Sequence, residues 1–244
     1  MTRPLLLEVE RLAKHFGGVQ AVRDLSFQVR EGEILGVIGP NGSGKTTTFH
    51  LITGFHQPDR GSVRFEGREI TRLAPHAVCA LGLCRTFQVA KPFPELSVLR
   101  NVLMGALLRH SDPVKAGERA QAVLKRVGLE GRSAIVAGSL TTIDQRRLEV
   151  ARALATEPKL LLLDETMAGL NPTEIGEAMR LITSLREQGI TVVVVEHVMR
   201  AVMSLSDRIV VLDQGQKIAE GNPQAIAADP RVIQAYLGAE YRRA

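Results

Sequence analysis

Short runs of Val, Ile and Leu alternate along the chain with longer stretches of helical periodicity, the pattern of a mainly parallel sheet with crossover helices. Strands are predicted at Leu25 to Val29, Ile34 to Ile38, Leu160 to Leu163, Thr191 to Val195 and Arg208 to Leu212. A hairpin through Gln214-Gly215 leads to a further strand, Gln216 to Ala219. The first part of the chain, ahead of Gly39, reads as antiparallel strands. Asn171-Pro172 with Glu174 forms a capping-box start, and Gly189 closes that helix. Between about Lys91 and Thr156 strand signals disappear, while Ser97, Asp112-Pro113 and Gly128 punctuate successive helices. The expected organisation is an α/β core over 1–90 and 157–221, a helical subdomain over 91–156 and a short C-terminal helical tail over 222–244.

Composition narrows this picture. With 244 residues, 45% of them hydrophobic, the chain can bury one sizeable core. Its apolar stretches, such as Leu160 to Leu163 and Val192 to Val195, are strand-sized, against the roughly 20 residues of a membrane-spanning helix. No signal-peptide apolar region can be drawn near the N-terminus, so residence in the cytoplasm is expected. The net charge of +5 comes from scattered basic residues, and aromatics make up only 4% without an interleaved stacking pattern, which argues against nucleic acid as a partner. Cys79 and Cys84 have no second pair or nearby His to complete a metal site, so neither a zinc site nor a disulfide is expected, and they read as small buried thiols.

The strongest chemical signal is Gly39-Pro40-Asn41-Gly42-Ser43-Gly44-Lys45-Thr46-Thr47, directly after an apolar strand and opening a helix. Its glycines let backbone amides converge on phosphate oxygens, and the helix N-terminus adds partial positive charge. Lys45 would reach the β- and γ-phosphates, and the Thr46 hydroxyl would ligate Mg²⁺. Leu160 to Leu163 ends in Asp164-Glu165, at the sheet edge where open α/β folds bind ligands. Asp164 suits the water shell of the Mg²⁺, and Glu165 can polarise the attacking water. His197, after the strand Thr191 to Val195, can touch the γ-phosphate; the other five histidines read as surface or core residues. Gln88, where the core gives way to the helical insert, can bind Mg²⁺ or the water.

In order and spacing these motifs resemble the ATP-binding subunits of ABC transporters, a P-loop NTPase family, over essentially the whole chain. The resemblance makes Gly39 to Thr47 the Walker A loop, Gln88 the Q-loop, Asp164 and Glu165 Walker B, Ala168 to Asn171 the D-loop and His197 the switch histidine, and places Phe16 against adenine. It implies ATP and Mg²⁺ as cofactors and ATP hydrolysis as the activity. It also implies a dimer of ATPase subunits, two multi-span membrane subunits and a location on the cytoplasmic side of the inner membrane. Arg85-Thr86-Phe87-Gln88 and the tail from Ala219-Glu220-Gly221-Asn222-Pro223 to Leu237-Gly238 resemble importers of branched-chain and other hydrophobic amino acids, which work with a periplasmic or extracellular solute-binding protein. The tail is shared with ATPases of lipopolysaccharide export, which stay a rival. A soluble ABC ATPase acting on nucleic acid, and a regulatory module without turnover, are the readings from other classes. The first lacks a coiled-coil insert or basic arm, and the second would have lost Lys45, Glu165 or His197.

One segment departs from the family. Where the signature normally reads Leu-Ser-Gly-Gly-Gln, this chain has Leu140-Thr141-Thr142-Ile143-Asp144. Thr141 can replace the Ser hydroxyl, whereas Ile143 is expected to hinder close approach to the opposite nucleotide and Asp144 to bring negative charge near its phosphates. Either the loop adjusts and stays competent, or the segment forms a weak half-site; on the second reading a partner ATPase completes the site built on Lys45 and Glu165, and Ile143→Gly speeds hydrolysis.

Overall fold

The computed structural model describes residues 3–87 and 92–241. In chain order the elements are β1 (Leu5–Phe16), β2 (Val19–Arg30), β3 (Ile34–Ile38), α1 (Lys45–Ile52), β4 (Arg60–Phe65), β5 (Arg68–Glu69), α2 (Pro75–Leu81), β6 (Leu83–Arg85), α3 (Val98–Ala106), α4 (Pro113–Arg126), α5 (Thr142–Ala155), β7 (Leu160–Asp164), α6 (Pro172–Glu187), β8 (Thr191–Val195), α7 (Met199–Leu205), β9 (Arg208–Asp213), β10 (Gln216–Gly221), α8 (Pro223–Ala228) and α9 (Pro230–Tyr241). An antiparallel sheet runs β2-β1-β4-β5, and a second sheet runs β10-β9-β3-β8-β7-β6. In the second sheet β6, β7, β8, β3 and β9 are parallel, and β10 closes one edge antiparallel to β9. The α/β fold expected from the sequence is the fold observed.

Strands β3, β7 and β8 are apolar at nearly every position because both faces of this sheet are covered. Side chains alternate between two cores with the period of the strand. Leu161, Leu163, Val192 and Val194 enter a core shared with α3 to α6. Leu160, Leu162, Val193 and Val195 enter the other, built with α1 and the antiparallel sheet. Burying each such side chain contributes about 1.5–3 kcal/mol. The stiff sheet that results fixes where its strands end, and the candidate chemistry sits at those ends.

The N-terminal segment is antiparallel as expected, but β2 starts six residues before the predicted Leu25, and β1 also pairs with β4, beyond the phosphate loop. Strands β4 and β5, helix α2 and the short β6 carried no prediction. The α6 boundary is as read from the sequence. Asn171 Oδ1 accepts the N–H groups of Thr173 and Glu174, while Glu174 accepts that of Asn171 at 2.8 Å. Among the described residues no helix is long and apolar enough to cross a membrane.

Candidate functional site

The loop between β3 and α1 is shaped by what glycine permits. Gly39 has φ 153°, and a Cβ there would overlap the Leu212 carbonyl; Gly44 has φ 99°, and a Cβ would lie 2.5 Å from Ala21 O. The loop is therefore clamped between β2 and the β9–β10 turn, where Gly215 N–H donates to Ser43 O at 3.1 Å and Arg23 N–H to Gly215 O at 2.7 Å. Lys45 Nζ donates to Gly39 O at 2.8 Å and Pro40 O at 3.0 Å, so the ammonium is folded back over its own loop. Burial holds its pKa below the ordinary lysine value, opposed by Glu165 and Asp164. Ser43 Oγ is buried with no partner among the described residues, an orphaned donor facing the same loop.

A cleft of about 1100 Å³ opens in front of this loop. Its wall carries Asn41 to Thr47 together with Glu165 and His197, so the ends of β3, β7 and β8 converge on one space. Glu165 adopts φ 52°, unusual for a non-glycine residue, and its N–H is tied to Val195 O at 2.8 Å. The same turn sets its Oε1 2.7 Å from His197 Nε2. Phe16 stands beside the cleft at the end of β1 without being on its wall. Its ring meets His56 edge-on, with centroids 5.2 Å apart, and Lys14 Nζ lies 5.6 Å from its centre. Gln88 lies outside the described residues.

Asp164 is fully buried and pairs with Arg85 Nη2 at 2.8 Å. Burial pushes its pKa up, and Arg85 is the largest opposing influence. The other oxygen, Oδ1, is buried without a partner among the described residues. An oxygen left over in this way fits a water of a bound Mg²⁺, an ion that takes one or two protein oxygens, waters and phosphate oxygens.

Several residues around the site had no sequence signal beyond polar character in an apolar context. Arg85 sits among aromatic rings, with its guanidinium carbon 4.8 Å from the centre of Phe87, 5.8 Å from Phe55 and 5.9 Å from Phe49. Glu149 of α5 accepts the Phe87 N–H at 2.5 Å and thereby ties α5 to the strand end leading to Gln88. Glu196 accepts the Met167 N–H at 2.7 Å and fixes the turn after Glu165. Burial pushes both carboxyls up to about 7. Buried carboxylates facing backbone N–H groups are visible only once the chain is folded.

The signature segment differs from its expectation. Thr141 caps α5, and its hydroxyl donates to Asp144 Oδ2 at 2.7 Å. Asp144 is buried and paired with Arg132, with Arg147 3.9 Å away. Its charge is thus neutralised inside the helical layer rather than presented to a phosphate. Ile143 lies on the wall of a separate cavity of about 440 Å³ between α5 and α6, with Arg147, Val150 and Leu181. Ile143→Gly is therefore expected to leave ATP turnover unraised. It should also lower stability by about 0.5 kcal/mol through helix propensity, the difference between Gly and Ile on a scale referred to Ala, measurable as a lower urea midpoint. A faster variant of undiminished stability would restore Ile143 as a steric block.

Strand, glycine loop and helix in this order, with two acids closing a neighbouring strand and a histidine closing the next, define a P-loop nucleotide hydrolase. The family model described as ABC transporter matches residues 22–168, and one described as branched-chain amino acid ATP-binding cassette transporter matches residues 216–242. The chain belongs to the ABC transporter family, as one of its ATP-binding, ATP-hydrolysing cassettes.

It is 41% identical to the high-affinity branched-chain amino acid transport ATP-binding protein BraF of Pseudomonas aeruginosa, over 98% of this chain and 99% of that protein. It is 38% identical to the lipopolysaccharide export system ATP-binding protein LptB of Acidithiobacillus ferridurans, over 97% and 98%. Among solved structures, the ADP conformation of the ABC transporter cassette MJ1267 superposes with a TM-score of 0.86 at 33% identity, covering 96% of this chain and 99% of that one. The dimeric bacterial ABC transporter cassette MJ0796 superposes with a TM-score of 0.83 at 26% identity, covering 89% and 99%.

Proposed function

We propose that this chain is an ATPase subunit powering an importer of branched-chain or other hydrophobic amino acids. The observation that carries the reading is the C-terminal segment, residues 216–242, which matches a model described for branched-chain amino acid cassettes. The 41% identity to BraF over nearly the full length supports it. Lipopolysaccharide export is the rival, resting on the similarity to LptB.

In this reading ATP lies along the Gly39 to Thr47 loop, with Lys45 on its phosphates and Phe16 near adenine. Thr46 and, through water, Asp164 hold Mg²⁺, which when bound neutralises phosphate charge. Glu165 orients and deprotonates the attacking water, and His197 keeps the Glu165 carboxylate in place through the 2.7 Å contact. Gln88 links this site to residues 91–156, and within the segment Leu140 to Asp144 the exposed Thr141 and Thr142, at the start of α5, meet the nucleotide of a second ATPase subunit, identical or different. Two multi-span membrane subunits, a solute-binding protein and the cytoplasmic face of the plasma membrane complete the assignment.

Cells depleted of the chain provide the test. Uptake of labelled leucine, isoleucine and valine should fall and return on re-expression. Undiminished uptake together with defective lipopolysaccharide at the cell surface would replace this reading by export.

A further inference from the structure

Cys79 lies in the last turn of α2, and Cys84 is the middle residue of β6. The turn between them, capped at Gly82 with φ 106°, folds the strand back beside the helix and brings the two sulfurs to 3.9 Å. These are the only cysteines in the chain. A disulfide requires about 2.05 Å between sulfurs, so side-chain rotation and a small backbone shift separate the dithiol from the bonded state. The two thiols are not alike. The hydrogen bond from Cys84, the largest influence, brings the Cys79 pKa down to about 7, helped by Thr156 and Arg109 against burial. Cys84 is pushed well above the ordinary thiol value by the same hydrogen bond and by burial. Cys79 is half-buried, with exposed His76 and Ala80 near it in the chain, so a small reagent has a side from which to approach.

We propose that Cys79 and Cys84 form a thiol–disulfide redox site whose oxidation slows ATP turnover. The oxidant is a low-molecular-weight disulfide. The Cys79 thiolate attacks one of its sulfurs; the disulfide bond breaks, leaving a mixed disulfide on Cys79 and releasing one small thiolate. That thiolate takes the Cys84 proton, and the Cys84 thiolate attacks the Cys79 sulfur, expelling the second small thiolate, which takes from water the proton that Cys79 released. Two protein thiols are oxidised by two electrons, and one small disulfide is reduced to two thiols.

The link to turnover is the strand itself. Cys84 precedes Arg85, its Sγ lies 4.0 Å from Arg85 O, and Arg85 carries the pair with Asp164. Among the described residues β6 is an edge strand that pairs with β7 alone. A bond to α2 would draw β6 toward the helix and displace Arg85, Thr86 and Phe87 from the register that fixes Asp164. A misplacement of about 1 Å at a reacting centre can cost about a hundredfold in rate.

Purified protein treated with oxidised glutathione and followed by intact mass, alkylation and Mg-ATP turnover tests the site. The expected product has lost about 2 Da and carries no glutathione. Both cysteines should become unavailable to iodoacetamide together. Turnover should fall about tenfold or more, by the displacement argument above, and recover with dithiothreitol. Cys79→Ser and Cys84→Ser, checked for native circular dichroism, should each keep the turnover of the reduced protein in the presence of the oxidant. A lasting single-glutathione adduct, a disulfide between two chains, or a complete internal disulfide with unchanged turnover would each overturn the proposal. The mass and alkylation readouts on the wild-type chain decide the bond without relying on either variant.

Discussion

Glu165→Gln is expected to bind ATP as the wild type does while its turnover falls by about 10²–10⁴-fold, the range a positioned general base supplies. The substitution keeps the shape of the side chain, and a Gln amide can still meet His197 Nε2 at the 2.7 Å now observed. The backbone is held independently, by Glu165 N–H on Val195 O at 2.8 Å, so the turn with φ 52° should persist. What disappears is a carboxylate next to the phosphate loop, and with it both the basicity that takes a proton from water and a negative charge facing Lys45. Calorimetry with ATP and phosphate release under single-turnover conditions separate the two effects. Wild-type release by the variant would remove Glu165 from the role of base, and weakened ATP binding would assign it to holding the loop instead.

The parts of this site legible in the sequence are those where backbone chemistry dictates residue type. Gly39 and Gly44 had to be glycine because carbonyls of Leu212 and Ala21 occupy the space a Cβ would take. The run Leu160 to Leu163 had to be apolar because both its faces are covered. Local rules of this kind need no knowledge of distant residues. Arg85, Glu149 and Glu196 obey no such rule, since each is defined by a partner 79, 62 or 29 positions away in the chain. Asp144 shows the same limit from the other side. Its position beside the signature suggested charge near a phosphate, yet Arg132, in a turn twelve residues earlier, draws the carboxylate inward. The sequence argued against a bond between the two cysteines, because their approach to 3.9 Å depends on the Gly82 turn and on the pairing of β6 with β7.

The buried pair Arg85–Asp164 gives the largest stability effect expected in the molecule. Asp164 is fully buried, Arg85 is 4% exposed in its side chain, and their contact is 2.8 Å. Arg85 is further fixed by Nε donating to Thr86 O at 2.9 Å and by the ring of Phe87 4.8 Å away. Replacing both charges with apolar groups can be neutral, but removing one leaves the other buried without compensation, which costs about 3–5 kcal/mol. Arg85→Ala should therefore lower unfolding free energy by that amount at neutral pH. Its pH dependence has a definite sign. Burial already raises the Asp164 pKa in the folded chain, and loss of Arg85, the main influence holding it down, raises it further. Between the unfolded and folded values the native state binds a proton that the unfolded state has released, so stability falls as pH rises through that window. The deficit of Arg85→Ala relative to wild type should be smaller near about pH 5 than near about pH 8, because the native variant neutralises the buried Asp164 by taking up a proton, and that uptake costs less as the pH falls. Urea unfolding of the two proteins at both pH values measures it. A deficit below about 1 kcal/mol, the scale of an exposed ion pair, or one that does not change with pH, would show that Asp164 is stabilised without Arg85, leaving nearby Lys45 as its counter-ion.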